Sequence, residues 1–179
     1  MAAILPSFVP HPGTPVPTVT GADGLVIPVM AFGTGTAWFG ATGGERAESM
    51  KAALMTALRL GFHHVDAAEM YTNQRFTGEA LADFLAEQSE VKREHLFVVS
   101  KIANQSKHPD AVRASCARAI KELNCGSYLD LLLVLTRAVQ RATCPFRLVS
   151  AVPPQFAWWP APAPARPNLG AALPLDRTG

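Results

Sequence analysis

Short, nearly unbroken apolar runs alternate along this chain with stretches in which apolar residues recur every three or four positions. Val29-Met30-Ala31-Phe32 predicts a first buried strand, closed by Gly33-Thr34-Gly35. Across Glu45–Leu60, Ala47, Met50, Leu54, Ala57 and Leu58 share one helical face while Glu45, Arg46, Glu48 and Lys51 face water, and Gly61 supplies a stop. Phe62–Asp66 predicts a second strand, and Gly78–Gln88 a second helix built on Leu81, Phe84 and Leu85. Leu96–Ser100 reads as a third strand ending at Lys101. A third helix follows over Asp110–Leu123, with Asp110 as its cap and Val112, Cys116, Ala119, Ile120 and Leu123 as its packing stripe. Leu129–Leu135 is the fourth strand, and upstream Ala22-Asp23-Gly24 reads as a turn joining Pro17–Thr20 to Leu25–Pro28.

Strand ends fall near Phe32, Asp66, Ser100 and Val134, 34 residues apart each time. Strands buried on both faces, alternating with amphipathic helices, indicate parallel βα units of an α/β fold. Four such units fit half of an eight-unit barrel or an open parallel sheet. A complete barrel takes roughly 250 residues, more than this chain's 179. Three regions are expected: a proline-rich arm over residues 1–17, a folded part over 18–136, and a tail over 137–179 that holds eight prolines and is expected to be disordered. Phe146–Val152 is the one segment of that tail with strand character, and departure of the coding text from its frame or splice path is the favoured reading of the change after Thr136.

The formal charge of +2 hides an asymmetry, because residues 1–136 carry 11 basic and 13 acidic side chains and the tail carries five and one. A slightly acidic folded part argues against nucleic acid as a partner. No uncharged apolar run approaches the roughly 20 residues that span a bilayer, so no membrane partner is expected. Cys116, Cys125 and Cys144 lack the close pairs of a structural zinc site and predict reduced thiols in a cytoplasmic protein without a metal. The short start Met1–Leu5, broken by Pro6, does not read as a signal peptide.

Asp66, Tyr71 and Lys101 stand out because the strand map gathers them. Asp66 closes the second strand, Tyr71 follows on its loop, and Lys101 closes the third, so all three belong to the C-terminal edge where βα sheets build their sites. An ammonium beside a phenol stabilises the phenolate, which suits a phenol acting as general acid toward a carbonyl oxygen. Taken singly, each has an ordinary structural reading: Asp66 as a turn cap, Tyr71 as a half-buried anchor, Lys101 as a charge leaving a strand. His63 and His64 read as structural residues within the second strand, and His11, His95 and His108 as surface residues.

Gly61-Phe-His-His-Val-Asp-Ala-Ala-Glu-Met-Tyr-Thr-Asn-Gln followed by Gly78-Glu-Ala-Leu resembles the first signature of the aldo-keto reductases. Gly24–Gly35, Val98-Val-Ser-Lys101 and Tyr128-Leu-Asp-Leu-Leu-Leu-Val resemble that family's opening hairpin with its first strand, its third strand and its fourth, in order, over residues 18–134. The resemblance implies a truncated (β/α)8 barrel of about four βα units behind an N-terminal hairpin. It implies NAD(P)H-dependent reduction of an aldehyde or ketone, with Tyr71 as the acid, Lys101 as the cation that eases its proton release, and Asp66 as the carboxylate holding that lysine. Gly33, Thr34, Gly35 and Asp66 would border the nicotinamide of NADPH or NADH, and Trp38 would stand on the substrate-side loop. Two departures accompany it. Leu135, followed by Thr136 and Arg137, stands where the family carries a histidine after the fourth strand, and the tail does not resemble the second half of the barrel. Gln74 replaces an acidic residue, a smaller change. The implied activity is therefore expected to be weak or absent. The alternative is a non-catalytic interaction protein, or an unstable fragment, that self-associates through exposed strand edges.

Overall fold

The computed structural model describes residues 8–102, 109–124 and 126–134, together with the backbone of 148–149. The chain opens with an antiparallel pair, β1 (Thr18–Thr20) and β2 (Val26–Pro28), in which Val19 faces Ile27. Then come β3 (Phe32–Gly33), α1 (Gly44–Arg59), β4 (His64–Asp66), α2 (Gln74–Glu87), β5 (Phe97–Ile102), α3 (Pro109–Glu122), β6 (Leu131–Val134) and β7 (Leu148–Val149). The last five strands form one parallel sheet in the order β3-β4-β5-β6-β7. Parallel neighbours joined through helices are what the strand–helix alternation requires.

The two faces of the sheet bury different partners. Val65, Val98, Ile102 and Leu132 point to the helices and join Leu54, Leu58, Leu81, Phe84, Val112, Cys116 and Leu123 in the larger core. Phe97 and Val99 point the other way, against Phe8 and Leu25, with Leu131 and Leu133 beside them. Phe8 meets Phe97 edge-on at 5.8 Å, so the N-terminal segment and hairpin close that side of the sheet at the start of its strands. Helices α2 and α3 touch at Gly78, where an added Cβ would fall 2.1 Å from the Glu122 carbonyl oxygen and 2.7 Å from the Leu123 carbonyl carbon. Only hydrogen fits there. Gly61, expected as the stop of this helix, follows α1 at φ +87°, a left-handed conformation that favours glycine.

Several boundaries differ from the sequence pattern. Val29 and Met30 are about half exposed and precede the two-residue strand instead of forming its buried body. Helix α2 begins a turn before Gly78, at Gln74, and Asp110 lies inside the first turn of α3, paired with Arg113. The far edge of β6, expected to be bare, pairs with β7 through Leu132–Leu148 and Leu133–Val149. Within Phe146–Val152, the described residues Leu148–Val149 form β7. Asp130, just before β6, has a 2% exposed side chain that accepts hydrogen bonds from Arg93 and the Val98 amide, each at 2.8 Å. Burial pushes its carboxyl above the ordinary range against the opposing pull of Arg93.

His11 and His95 are half-buried, contrary to the surface reading. The His11 ring lies 6.1 Å from His63 and 5.1 Å from His95, and His63 is 4% exposed with Nδ1 unpartnered. His108 lies outside the described residues. No helix among the described residues is long and apolar enough to cross a membrane.

Gly78→Ala is expected to destabilise the protein by about 3 kcal/mol or more, measured by urea unfolding, because the obstructing atoms are backbone and cannot swing aside. Burial, reinforced at His63 by the neighbouring His11, lowers the proton affinity of His63 and His64 below that of ordinary imidazole. The unfolded chain thus takes up protons first, so their contribution is complete above about pH 6.5 and declines as pH falls below it. Urea midpoints recorded across that range should fall toward acid, and His63→Phe should flatten the slope.

Candidate active site

Parallel pairing sets the level of each site residue. Gly33 lies opposite Asp66 and Asp66 opposite Val99, so Lys101 stands one same-face position further along β5 than the partner of Asp66. Alternation places Lys101 in the row of Phe97 and Val99, above the apolar floor that the hairpin covers from the other end. Ser100 points to the opposite face, where its hydroxyl donates to Gln74 Oε1 at 2.6 Å while Gln74 Nε2 donates to Glu122 Oε2 at 2.8 Å. The Gln74 position is thus a buried link between β5, α2 and α3.

Lys101 Nζ lies 2.6 Å from Asp66 Oδ1, 3.2 Å from the Ala67 carbonyl oxygen and 3.1 Å from Tyr71 Oη. An ammonium has three hydrogens and no acceptor, so these three oxygens satisfy it completely. The lysine side chain is 15% exposed and Asp66 31%, which leaves the pair partly screened from water. Because Lys101 can only donate, Tyr71 Oη accepts from it, and the phenol's own hydrogen remains available for a further acceptor. The ammonium also lies 4.8 Å from the centre of the tyrosine ring.

Tyr71 is held from both sides. It ends the single turn Glu69–Tyr71, its amide donating to the Ala68 carbonyl at 3.0 Å, and Thr72 at φ +60° redirects the chain into α2. The Gly40 amide donates to its carbonyl at 3.0 Å, and the Phe39 ring meets its ring edge-on at 6.0 Å. Below lies Gly35, where an added Cβ would come within 2.8 Å of Tyr71 Cζ. The buried Thr34 spends both its amide and its hydroxyl on the Asp66 carbonyl, at 3.0 and 3.1 Å, tying the end of β3 to the end of β4.

The structure therefore brings Asp66, Tyr71 and Lys101 into contact and sets Gly33, Thr34 and Gly35 beside them. Trp38 is placed apart: its ring stacks on Phe32 at 5.7 Å and packs against Ala47, Met50 and Phe76. Phe39, half exposed, is the aromatic residue of that loop that touches Tyr71. Asn73 is a residue whose role the sequence reading did not assign. Buried ahead of α2, its side-chain amide donates to the Thr34 carbonyl at 2.7 Å and the Trp38 carbonyl at 3.1 Å, joining the β3 loop to the β4 loop. An asparagine immediately before an amphipathic run is a signal for a helix cap, but not for a bond across to another loop. No group of three or more metal-binding side chains with suitable placement occurs among the described residues. Leu135, at the position of the expected histidine, lies outside them.

Asn73→Ala would leave the Thr34 and Trp38 carbonyls without their donor. A loss of about 2 kcal/mol in unfolding free energy is expected, with faster amide exchange at Trp38 and Gly40 than in the wild type.

Comparison with known proteins gives a consistent result. The sequence model of the Aldo/keto reductase family matches residues 30–136. "Aldo-keto reductase family 1 member A1-A" of Danio rerio is 38% identical over 117 residues, which is 65% of this chain and 33% of that protein. "Glycerol 2-dehydrogenase (NADP(+))" of Hypocrea jecorina is also 38% identical over 117 residues, covering 65% of this chain and 35% of that one. Among solved structures, a Bombyx mori aldo-keto reductase in complex with NADP superposes with a TM-score of 0.59 at 30% identity, over 66% of this chain and 38% of the other. The aldose reductase of Schistosoma japonicum gives 0.56 at 33% identity, over 66% and 36%. The chain thus spans about a third of the length of the curated relatives it matches.

Proposed function

The chain belongs to the aldo/keto reductase family, and from that membership we propose that it carries the proton-donating part of an NAD(P)H-dependent carbonyl reductase site. The observation that supports this reading most is the contact of Lys101 Nζ with Tyr71 Oη at 3.1 Å, with Asp66 behind the lysine at 2.6 Å. Tyr71 is the acid: its free hydrogen passes to the carbonyl oxygen of an aldehyde or ketone as negative charge gathers there. Lys101 remains hydrogen-bonded to the phenolate left behind and stabilises it. Asp66 and the Ala67 carbonyl keep the ammonium aimed at that oxygen.

The residues beside this group fit the nicotinamide end of a cofactor. An added Cβ at Gly33 would meet none of the described residues within 4 Å, which leaves room among them at the end of β3 beside Asp66. Gly33, Thr34, Gly35 and Asp66 are the residues proposed to border the ring, and a bound nicotinamide supplies the hydride that such a reduction consumes. The Bombyx mori relative in complex with NADP and the Hypocrea jecorina glycerol 2-dehydrogenase (NADP(+)) support the phosphorylated cofactor. Phe39 and Trp38 belong to the loop proposed to face the substrate, Phe39 through its contact with Tyr71.

The test is NADPH oxidation by the purified chain with a small aldehyde such as glyceraldehyde. Slow turnover is expected, falling by about 10²-fold or more in Tyr71→Phe and also reduced in Lys101→Met. Turnover indifferent to Tyr71→Phe, or none in the wild type, contradicts the proposal.

A further inference from the structure

We propose that Gly35 is the positioning residue of the site: its missing side chain is the floor on which the Tyr71 ring lies, and this floor sets the phenol oxygen onto Lys101. The inference deepens the reductase reading and rests on Tyr71 being its acid. A Cβ built on Gly35 would fall 2.8 Å from Cζ, 3.0 Å from Cε2 and 3.2 Å from Cε1 of Tyr71. These are the three atoms around the hydroxyl, so the contact is made under the reacting end of the ring and not under its stem. The backbone of Gly35 has φ −81° and ψ −87°, a negative φ, and the three nearest atoms of the described residues to the added Cβ all belong to the Tyr71 ring. The sign of φ does not call for glycine here, whereas the ring above it does.

That distinction determines what a substitution does. At Gly78 the atoms in the way are backbone, and the fold itself must yield. At Gly35 the obstruction is the far end of a side chain, which can rotate away. Contacts that hold the tyrosine backbone, from Gly40 and to Ala68, do not involve the ring and are left in place. Gly35→Ala is therefore expected to leave the protein folded and lift the phenol from Lys101, whose bond at 3.1 Å has little length to spare. Gly33, two residues earlier, has no described residue within 4 Å of the same test position and serves as the spectroscopic control.

The chain contains two tyrosines, Tyr71 and Tyr128, which makes a spectroscopic test direct. Tyrosine labelled with ¹³C at Cζ gives two signals, assigned with Tyr71→Phe. Tyr128, packed under Arg93 at 4.2 Å, reports on the fold. In the wild type, Lys101→Met should shift the Tyr71 signal. In the Gly35→Ala background the Tyr71 signal should already be displaced and its response to Lys101→Met lost, with Tyr128 unchanged. Gly33→Ala should leave the Tyr71 signal and its response to Lys101→Met as in the wild type. Gly35→Ala with a wild-type Tyr71 signal and the full response to Lys101→Met overturns the inference. So does collapse of the Tyr128 signal onto that of free tyrosine, since the backbone and not the ring would then have yielded. None of these readings depends on turnover, so a chain that reduces no aldehyde would overturn the catalytic assignment while leaving the placement of the ring decided separately.

Discussion

One ammonium with three oxygen partners organises the upper edge of this sheet. Lys101 reaches Asp66 from the neighbouring strand, Ala67 from the residue that follows that strand, and Tyr71 from the turn after it. All three partners lie in one short stretch of sequence, while the lysine comes from 30 to 35 residues further on. Only parallel pairing of β4 with β5, in the observed register, brings them together. A shift of one residue would turn Lys101 to the helical face, where Ser100 now bonds to Gln74. The site thus depends on the register, and the register depends on which side chains each face can bury.

Polar ties hold the neighbouring strand pairs, β5 with β6 and β3 with β4, at opposite ends of the sheet. Toward the start of the strands, Asp130 accepts from the Val98 amide and from Arg93 in a nearly water-free setting. A buried carboxylate is tolerable only with such partners, so removing Arg93 would leave a charge that the surroundings cannot solvate. Toward the ends of the strands, Thr34 bonds to Asp66 and Asn73 bonds to Thr34 and Trp38, which locks the first two loops to each other. Between these polar ties lies an apolar layer, Phe97 and Val99 against Phe8 and Leu25, that excludes water from beneath the lysine.

Much of this was legible in the chain. Apolar runs buried on both faces, spaced 34 residues apart, gave the parallel sheet, and the ends of two such runs named Asp66 and Lys101. Tyr71 followed because a loop leaving a strand end has little room to go elsewhere. What the pattern could not carry were contacts between distant segments. Asn73 carries no assigned role in the sequence pattern, and only the three-dimensional path shows its amide reaching Thr34 and Trp38. Arg93 is an ordinary surface charge in sequence, yet it neutralises Asp130 from 37 residues away. Trp38 and Phe39 are adjacent and both aromatic; packing against Met50 and Phe76 takes the first, and Tyr71 takes the second. The segment holding β7 shows strand character in the sequence, but nothing in its pattern says that it pairs with β6.

The central claim is that Lys101 is a fully bonded ammonium lying between Asp66 and the Tyr71 phenol. Nitrogen-15 spectroscopy of the lysine side chains tests it most directly. Of the five lysines, Lys101 should give a slowly exchanging ammonium signal that disappears in Lys101→Met and shifts in Tyr71→Phe. An ammonium at Lys101 that exchanges as fast as an exposed lysine, with no response to Tyr71→Phe, would contradict the account.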